Sequence, residues 1–421
     1  MKRLAVFLHH SNRLWVLTTL GVWLACASAR AQWPQFGGPD RNFVVKNAGG
    51  LATTWPDGGP KRLWSRSLGD AYSGISIDDG RLYTMYHDGR NEVVVCLDAE
   101  NGSTFWEHKY SVGKLADFDE SFGLGARSSP TIDGDFVYTV GLSAILNCLD
   151  KKTGKVIWTH DLLGKHGATA LRWGYASSPL SYKDTVILPV GGKDKGVMAF
   201  DKKTGAIVWA KHNARNGYSS PLVITVDGQQ QLVVFMAEGV MGLNPDNGDP
   251  YWTFSHPTDY DINACTPLWG PDNILFISSA YGAGSRGLQL KREGDKTTVT
   301  ELWHQKKMQI HFGDAILIGD YVYGSSGGNG PTFFAAINVK TGEMGFRERE
   351  VAAKAQLIHA GDKLILLDED GHLVLTSVSP EAVNVHAKAQ VLERISWTAP
   401  ALAGKTLYIR DRKNVIALDL G

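Results

Sequence analysis

One arrangement of apolar and polar positions returns along the chain. An apolar run ends in Asp, a Gly follows four positions later, and a Trp stands eight positions after the Asp. Val95-Cys96-Leu97-Asp98 is followed by Gly102 and Trp106, Asn147-Cys148-Leu149-Asp150 by Gly154 and Trp158, and Ala199-Phe200-Asp201 by Gly205 and Trp209. Such a pattern predicts two antiparallel strands joined by a tight turn, because Asp bonds its own turn backbone and Gly accepts a positive φ. Looser copies occur at Gly242-Leu243-Asn244 with Gly248 and Trp252, at Leu288-Gln289-Leu290-Lys291 with Trp303, at Ala336-Ile337-Asn338 with Gly342 and Phe346, and at Leu375-Thr376-Ser377. An eighth begins at Ala417-Leu418-Asp419, where the sequence ends.

A second series keeps the same phase. Each anchor is preceded by a strand pair that opens on small residues: Tyr72-Ser73-Gly74, Arg127-Ser128-Ser129-Pro130, Ala176-Ser177-Ser178-Pro179, Tyr218-Ser219-Ser220-Pro221, Ala264-Cys265-Thr266-Pro267, His311-Phe312-Gly313-Asp314, Lys354-Ala355-Gln356-Leu357 and Trp397-Thr398-Ala399-Pro400. The copies recur every 39 to 52 residues, room for four short strands and their turns, which is one propeller blade. Small residues suit an innermost strand where blades converge. The Trp suits an outer strand, packed between neighbouring sheets with its indole N–H seeking a turn carbonyl. The last copy lacks its Trp strand, and Lys61-Arg62-Leu63-Trp64-Ser65 is a Trp strand with no repeat before it. The two ends are therefore expected to complete one blade and close the ring without free sheet edges. The prediction is an all-β protein, an eight-bladed β-propeller of four-stranded antiparallel blades over residues 61–421, with an irregular Gly- and Pro-rich arm over 32–60.

The 47 Gly and 13 Trp fit that fold, since many short strands need tight turns and large rings to fill the space between sheets. At the start of the chain, Lys2, Arg3 and Arg13 precede the apolar stretch from Leu14 to Ala27, and Ala29-Arg30-Ala31 offers a cleavage site. Residues 1–31 thus read as a signal peptide and the protein as exported, periplasmic or of the cell envelope. The stretch is shorter than the roughly 20 apolar residues that cross a bilayer. Trp23-Leu24-Ala25-Cys26 offers another processing point, lipidation at Cys26, the one route by which this reading admits membrane association. Without residues 1–31 the chain carries 39 basic against 43 acidic side chains, a formal charge of −4, which offers no basic face to nucleic acid. Cys96, Cys148 and Cys265 then remain, and an odd count is no disulfide framework. Cys96 and Cys148 hold the same position in successive blades. Packed sheets lie about 10 Å apart while a disulfide needs Cα atoms within about 7 Å, so both read as buried apolar residues.

The repeat resembles the Ala-Leu-Asp-x-x-x-Gly-x-x-x-Trp repeat of the PQQ-like β-propeller family, matching at five anchors well and at three weakly. Trp33-Pro34-Gln35-Phe36-Gly37-Gly38-Pro39-Asp40-Arg41-Asn42 also looks like the opening of bacterial members. The resemblance covers essentially all of the chain after the leader and implies one of two functions. One is PQQ-dependent oxidation of alcohols or sugars; the other is non-catalytic scaffolding, as in BamB-like assembly lipoproteins. Fold alone does not choose between them. Dehydrogenases of the resembling group place a disulfide of adjacent cysteines, a Trp floor, a calcium ion and an Asp base around the quinone, and no two cysteines here are adjacent.

Candidate residues for a site in the central channel are Arg127, Arg172, Trp173, Tyr218 and Trp397 as ligand-binding groups, with His311 and Asp314 as a pair that could bind metal or shuttle protons. Against this stands the plain expectation that a channel is lined by polar groups whether or not it works. No His-x-His, Glu-x-x-His or calcium-loop pattern appears, and Asp117-Phe118-Asp119-Glu120 reads as a solvated turn. The long connections Tyr110 to Ala126 and Leu162 to Tyr175 leave the ring on one face, where function is often grafted. They are expected to bring Phe118, Phe122, Leu171, Arg172 and Trp173 together, as a binding surface or equally as a cap on the channel. The reading is thus a monomeric, exported binding scaffold, holding a protein or small-molecule ligand on its loop-bearing face. The alternative is a PQQ- and calcium-dependent alcohol or sugar dehydrogenase without the usual cysteine pair.

Overall fold

The computed structural model describes residue 1 and residues 32–46, 48–113, 115, 117–328 and 330–421. The expected signal peptide, with Cys26 and the cleavage point after Ala31, lies outside the described residues except for Met1. The remainder forms eight antiparallel sheets in a ring. Blade 1 comprises Ser76–Asp78, Arg81–His87, Asn91–Asp98 and Thr104–Ser111, from the axis outward. The innermost strands of blades 2 to 8 are Thr131–Asp133, Leu180–Tyr182, Leu222–Val226, Leu268–Trp269, Ala315–Ile318, Gln356–Ala360 and Ala401–Ala403. Blade 8 is closed as the sequence predicts. Lys61–Ser67 pairs antiparallel with Asn414–Asp419, Lys61 opposite Asp419 and Ser67 opposite Asn414.

The Asp-x-x-x-Gly turns explain why the repeat needs its residues. The carbonyls of Asp98, Asp150 and Asp201 accept from the N–H groups of Gly102, Gly154 and Gly205 at 2.8–2.9 Å. The Asp carboxylates accept from the turn N–H groups of Glu100, Thr153 and Thr204 at 2.7–2.8 Å. Gly154 has φ +71°, and a methyl there would also lie 2.5 Å from the ring of Trp106 in the blade before. The Gly is therefore required twice, by its backbone conformation and by the ring pressed against it.

Four of these Trp residues tie their blade to the next by a hydrogen bond, whereas the Trp252 indole donates within its own blade, to Gln231 Oε1. The indole N–H groups of Trp64, Trp106, Trp158 and Trp303 donate to the carbonyls of Ala99, Lys151, Lys202 and Val339 at 2.8–3.1 Å. At three of these carbonyls a Tyr hydroxyl from the same blade as the Trp donates as well: Tyr408 to Ala99, Tyr83 to Lys151 and Tyr138 to Lys202, at 3.0–3.3 Å. The Ser-Ser-Pro residues add a second set of ties near the axis. They run just ahead of the innermost strands rather than within them. Ser129 N–H donates to Ser178 Oγ and Ser178 N–H to Ser220 Oγ, each at 2.9 Å. Cys96, Cys148 and Cys265 are free and buried.

The arm is more ordered than its Gly and Pro content suggests. Trp33 exchanges backbone hydrogen bonds with Ile77 of blade 1, and the Pro34 carbonyl accepts from Ile132 of blade 2. Arg41 donates to the Pro179 carbonyl before blade 3 at 3.0 Å. Val44–Val45 then adds a short parallel strand to the inner edge of blade 7. The segment from Trp33 to Val45 thus crosses the axis from one side of the ring to the other and stops the channel on the side of the Asp-Gly turns.

Deleting Lys61–Ser67 removes the outer strand of blade 8 and Trp64 with it. The expected result is a fall of more than about 10 °C in the melting midpoint, or loss of cooperative unfolding, read by calorimetry. A deletion variant that melts like the parent would refute the closure.

Candidate functional site

Because the innermost strands start at the long-loop face and run toward the turn face, equivalent residues ahead of each strand form rings at successive depths. The ring nearer the loops contributes Tyr72, Arg127, Ala176, Tyr218, Ala264, Phe312 and Trp397 to one cavity of about 240 Å³. The deeper ring contributes Ser220, Asp314, Gln356 and Ala399, and Phe36 of the arm lies at the floor. Phe122, Trp173, Ile262, Tyr281 and His311 stand at the mouth. The volume is near the small end of ligand sites, which run roughly 300–1,000 Å³.

The cavity is built of aromatic rings in contact. Tyr72 stacks on Trp397 at 5.4 Å between centroids, and Trp397 also meets Phe122 at 5.4 Å and Phe312 at 4.6 Å. Trp173 lies 6.1 Å from Tyr218 and 6.3 Å from Tyr260, which in turn meets Tyr281 at 6.0 Å. Into this wall Arg127 projects with its guanidinium 5.3 Å from the Tyr72 ring and 5.8 Å from the Phe118 ring. It donates to the Gly125 carbonyl at 2.8 Å and makes no ion pair among the described residues. Burial, ahead of its charged neighbours, lowers its pKa to about 10, so it stays cationic. The carboxylate nearest in character, Asp70, is held by Arg412 at 2.8 and 2.9 Å.

Asp314 occupies a place held by serine in blades 2, 3 and 4. Its N–H continues the axial ties, donating to Gln356 Oε1 at 3.3 Å. Its carboxyl is buried without an ion pair among the described residues, and burial raises its pKa from an ordinary 3.8 to about 8. His311 turns Nε2 to the Tyr281 hydroxyl at 3.1 Å rather than to Asp314. Burial first, and Lys354 second, lower its pKa to about 4. Burial thus favours the uncharged form of both groups.

Six of the seven residues singled out from the sequence, Arg127, Trp173, Tyr218, His311, Asp314 and Trp397, line this one cavity. Arg172 does not. It sits on the rim, its guanidinium 5.0 Å from the Trp173 ring and 3.3 Å from Asp119, while its carbonyl accepts from Asp119 N–H at 2.8 Å. Arg172 therefore straps the two long loops together. Asp119 of the acidic turn also accepts from Ser121 N–H and Oγ at the start of the short helix Glu120–Phe122. Phe36, Tyr72 and Phe312 were not singled out. Tyr72 and Phe312 were legible as repeat positions, but Phe36 belongs to an arm whose path no repeat dictates.

Three polar atoms around the cavity are buried without a protein partner: Tyr72 Oη, Trp173 Nε1 and His311 Nδ1. Buried polar atoms are nearly always bonded, and each left unpaired costs about 1–3 kcal/mol. The donors do not suit a calcium-bridged quinone. Calcium takes about 6–8 oxygen ligands, several of them usually carboxylates. Asp314 is the one carboxyl among the lining residues, and burial favours its protonated form. Among the described residues no three His, Cys, Asp or Glu side chains converge as a metal site.

Comparison with known proteins gives the same fold and two kinds of relative. A family model described as "Outer membrane protein assembly factor BamB" matches residues 90–344. A quinohemoprotein alcohol dehydrogenase of Pseudomonas putida, ADH IIB, is 28% identical over 210 residues, covering 49% of this chain and 27% of that enzyme. A quinoprotein ethanol dehydrogenase of the same organism is 29% identical over 160 residues, 35% of this chain and 25% of the enzyme. The matches thus span about a quarter of the length of these curated relatives. Among solved structures, BamB from Moraxella catarrhalis superposes with TM-score 0.58 at 19% identity, over 85% of this chain and 97% of that one. Quinohemoprotein alcohol dehydrogenase from Comamonas testosteroni does so with TM-score 0.65 at 13% identity, over 94% and 82%. These likenesses establish the fold.

The raised pKa of Asp314 has a consequence for stability. Below pH 3.8 the carboxyl is protonated in both folded and unfolded chains. Between that value and about 8 only the unfolded chain ionises, so stability present at low pH is lost as pH rises through 8. Asp314→Asn is expected to melt about 5 °C or more above the parent at pH 8, with the gap closing toward pH 4. A pH-independent difference in calorimetric midpoint would show that Asp314 is ionised in the fold.

Proposed function

The chain belongs to the family described as outer membrane protein assembly factor BamB, and from that premise we propose that it is an exported binding propeller. Its loop-bearing face takes a protein or small-molecule ligand into the axial cavity. The observation that carries this reading is the cavity itself: an aromatic cup on the loop face, into which the Arg127 guanidinium projects without an ion pair among the described residues. Tyr, Trp and Arg around a desolvated depression are the composition of binding hot spots. Export rests on the pattern of residues 1–31 and places the protein in the periplasm or cell envelope. The formal charge of −4 argues for partners other than nucleic acid, and the closed ring is compatible with a monomer.

A second reading, a PQQ-dependent alcohol or sugar dehydrogenase, draws on the quinoprotein relatives. It is the weaker one because the lining side chains offer a single carboxyl where a calcium ion usually takes several. In that reading Arg127 and the aromatic wall would hold the cofactor, which would supply the two-electron acceptor.

Purified protein given PQQ and calcium is expected to show no dye reduction with primary alcohols or sugars above the PQQ-free background. Alcohol-dependent reduction that requires PQQ and is lost in Asp314→Asn would overturn the binding reading in favour of the second.

A further inference from the structure

The two charge-bearing groups of the cavity stand in a particular relation. Arg127 precedes the innermost strand of blade 2 and Asp314 that of blade 6. In a ring of eight these blades are opposite each other. Arg127 belongs to the ring of residues nearer the loops and Asp314 to the deeper one, so a line joining them crosses the cavity obliquely from mouth to floor.

Neither group has an opposite charge of its own. Arg127 donates to the Gly125 and Gly123 carbonyls at 2.8 and 3.4 Å but meets no carboxylate, and Asp314 makes no ion pair among the described residues. Other ionised side chains nearby are paired within the protein: Arg412 with Asp70 at 2.8 Å, and Lys354 with Glu369 at 3.4 Å. Glu369 also accepts from the Trp397 indole N–H at 3.1 Å. A half-buried cation and a buried acid, both without an ion pair among the described residues and sharing one cavity, leave an arrangement that a guest with two opposite charges completes. The space between them is walled by Tyr72, Tyr218, Phe312 and Trp397, which receive a flat apolar body. Their ring faces also favour a cation approaching Asp314.

We propose that the axial cavity binds a small dipolar molecule with an ammonium group and a carboxylate at opposite ends of a flat apolar body, the ammonium on Asp314 and the carboxylate on Arg127. The proposal rests on the binding reading above and gives that site its ligand class. Asp314 gives up its proton to solvent when the ammonium arrives, as an ion pair replaces desolvation of a lone carboxylate. No covalent step is involved.

The probe is 4-(aminomethyl)benzoate, compared by calorimetric titration with benzylamine, with 4-methylbenzoate, and with phenylalanine, whose charges share one carbon. The expected result is binding of the probe about tenfold tighter than of any of the three, the effect of one charge-assisted contact. Asp314→Asn should reduce probe affinity to that of 4-methylbenzoate, and Arg127→Met to that of benzylamine. Asp314→Asn is expected to fold at least as well as the parent, so the test stands on it alone if Arg127→Met proves unstable. A probe that binds no tighter than 4-methylbenzoate, or binding untouched by Asp314→Asn, would overturn the dipolar assignment while leaving a ligand-binding cavity. Failure of all four compounds to bind would overturn the assignment and count against the binding reading as well.

Discussion

The carbonyl of Ala99 accepts two hydrogen bonds that arrive from opposite ends of the chain. One comes from the Trp64 indole at 2.9 Å and the other from the Tyr408 hydroxyl at 3.0 Å. Trp64 lies on the strand that opens the ring and Tyr408 on a strand of the last blade, so this atom is where blade 8 is fastened to blade 1. Everything at the axis depends on that closure. An open ring would have two unpaired sheet edges and no fixed diameter, and a cavity assembled from eight separate turns has no shape without one. The same clip at Lys151 and Lys202 shows that closure uses the ordinary blade-to-blade contact, made here by residues far apart in sequence.

With the ring closed, the backbone offers equivalent positions at the axis and the side chains decide what they do. Where several blades carry serine, hydroxyls stitch one blade to the next. At the same depth in blade 6 the chain carries Asp314, and in blade 7 Gln356, which keeps the stitch through its amide oxygen. This exchange costs stability at neutral pH, because a carboxyl without a counter-charge is held out of water. Such a residue in an otherwise structural repeat is the kind of local inconsistency expected at functional positions. The arm completes the site from below. By stopping the channel at the turn face, it turns a pore into a cup that opens toward the long loops.

The repeat made most of this legible in advance. The spacing of Asp98, Gly102 and Trp106 and its copies specified the hairpin, the Trp docking and the number of blades, because each residue type answers to one local demand of turn or packing. The axial positions were legible for the same reason, which is how Arg127, Tyr218, Asp314 and Trp397 could be placed in one channel. Arg172 belongs to the loop face rather than to the channel wall because its direction is set by Asp119 in another loop, a contact that no periodicity encodes. The course of Trp33 to Val45 was hidden for a similar reason. Its bonds go to blades 1, 2, 3 and 7, and Gly37, Gly38 and Pro39 suggest irregularity when read without those partners. The Tyr83, Tyr138 and Tyr408 hydroxyls escaped notice because the repeat fixes Tyr less visibly than Trp.

What separates the binding account from a quinoprotein is whether the cavity accepts the quinone and its metal. Calorimetric titration of the purified protein with PQQ, with and without calcium, addresses that directly. The account predicts no calcium-dependent heat of binding, because the single carboxyl among the lining residues falls short of a calcium ligand set. Tight binding of PQQ that requires calcium would contradict it and make the cavity a cofactor site.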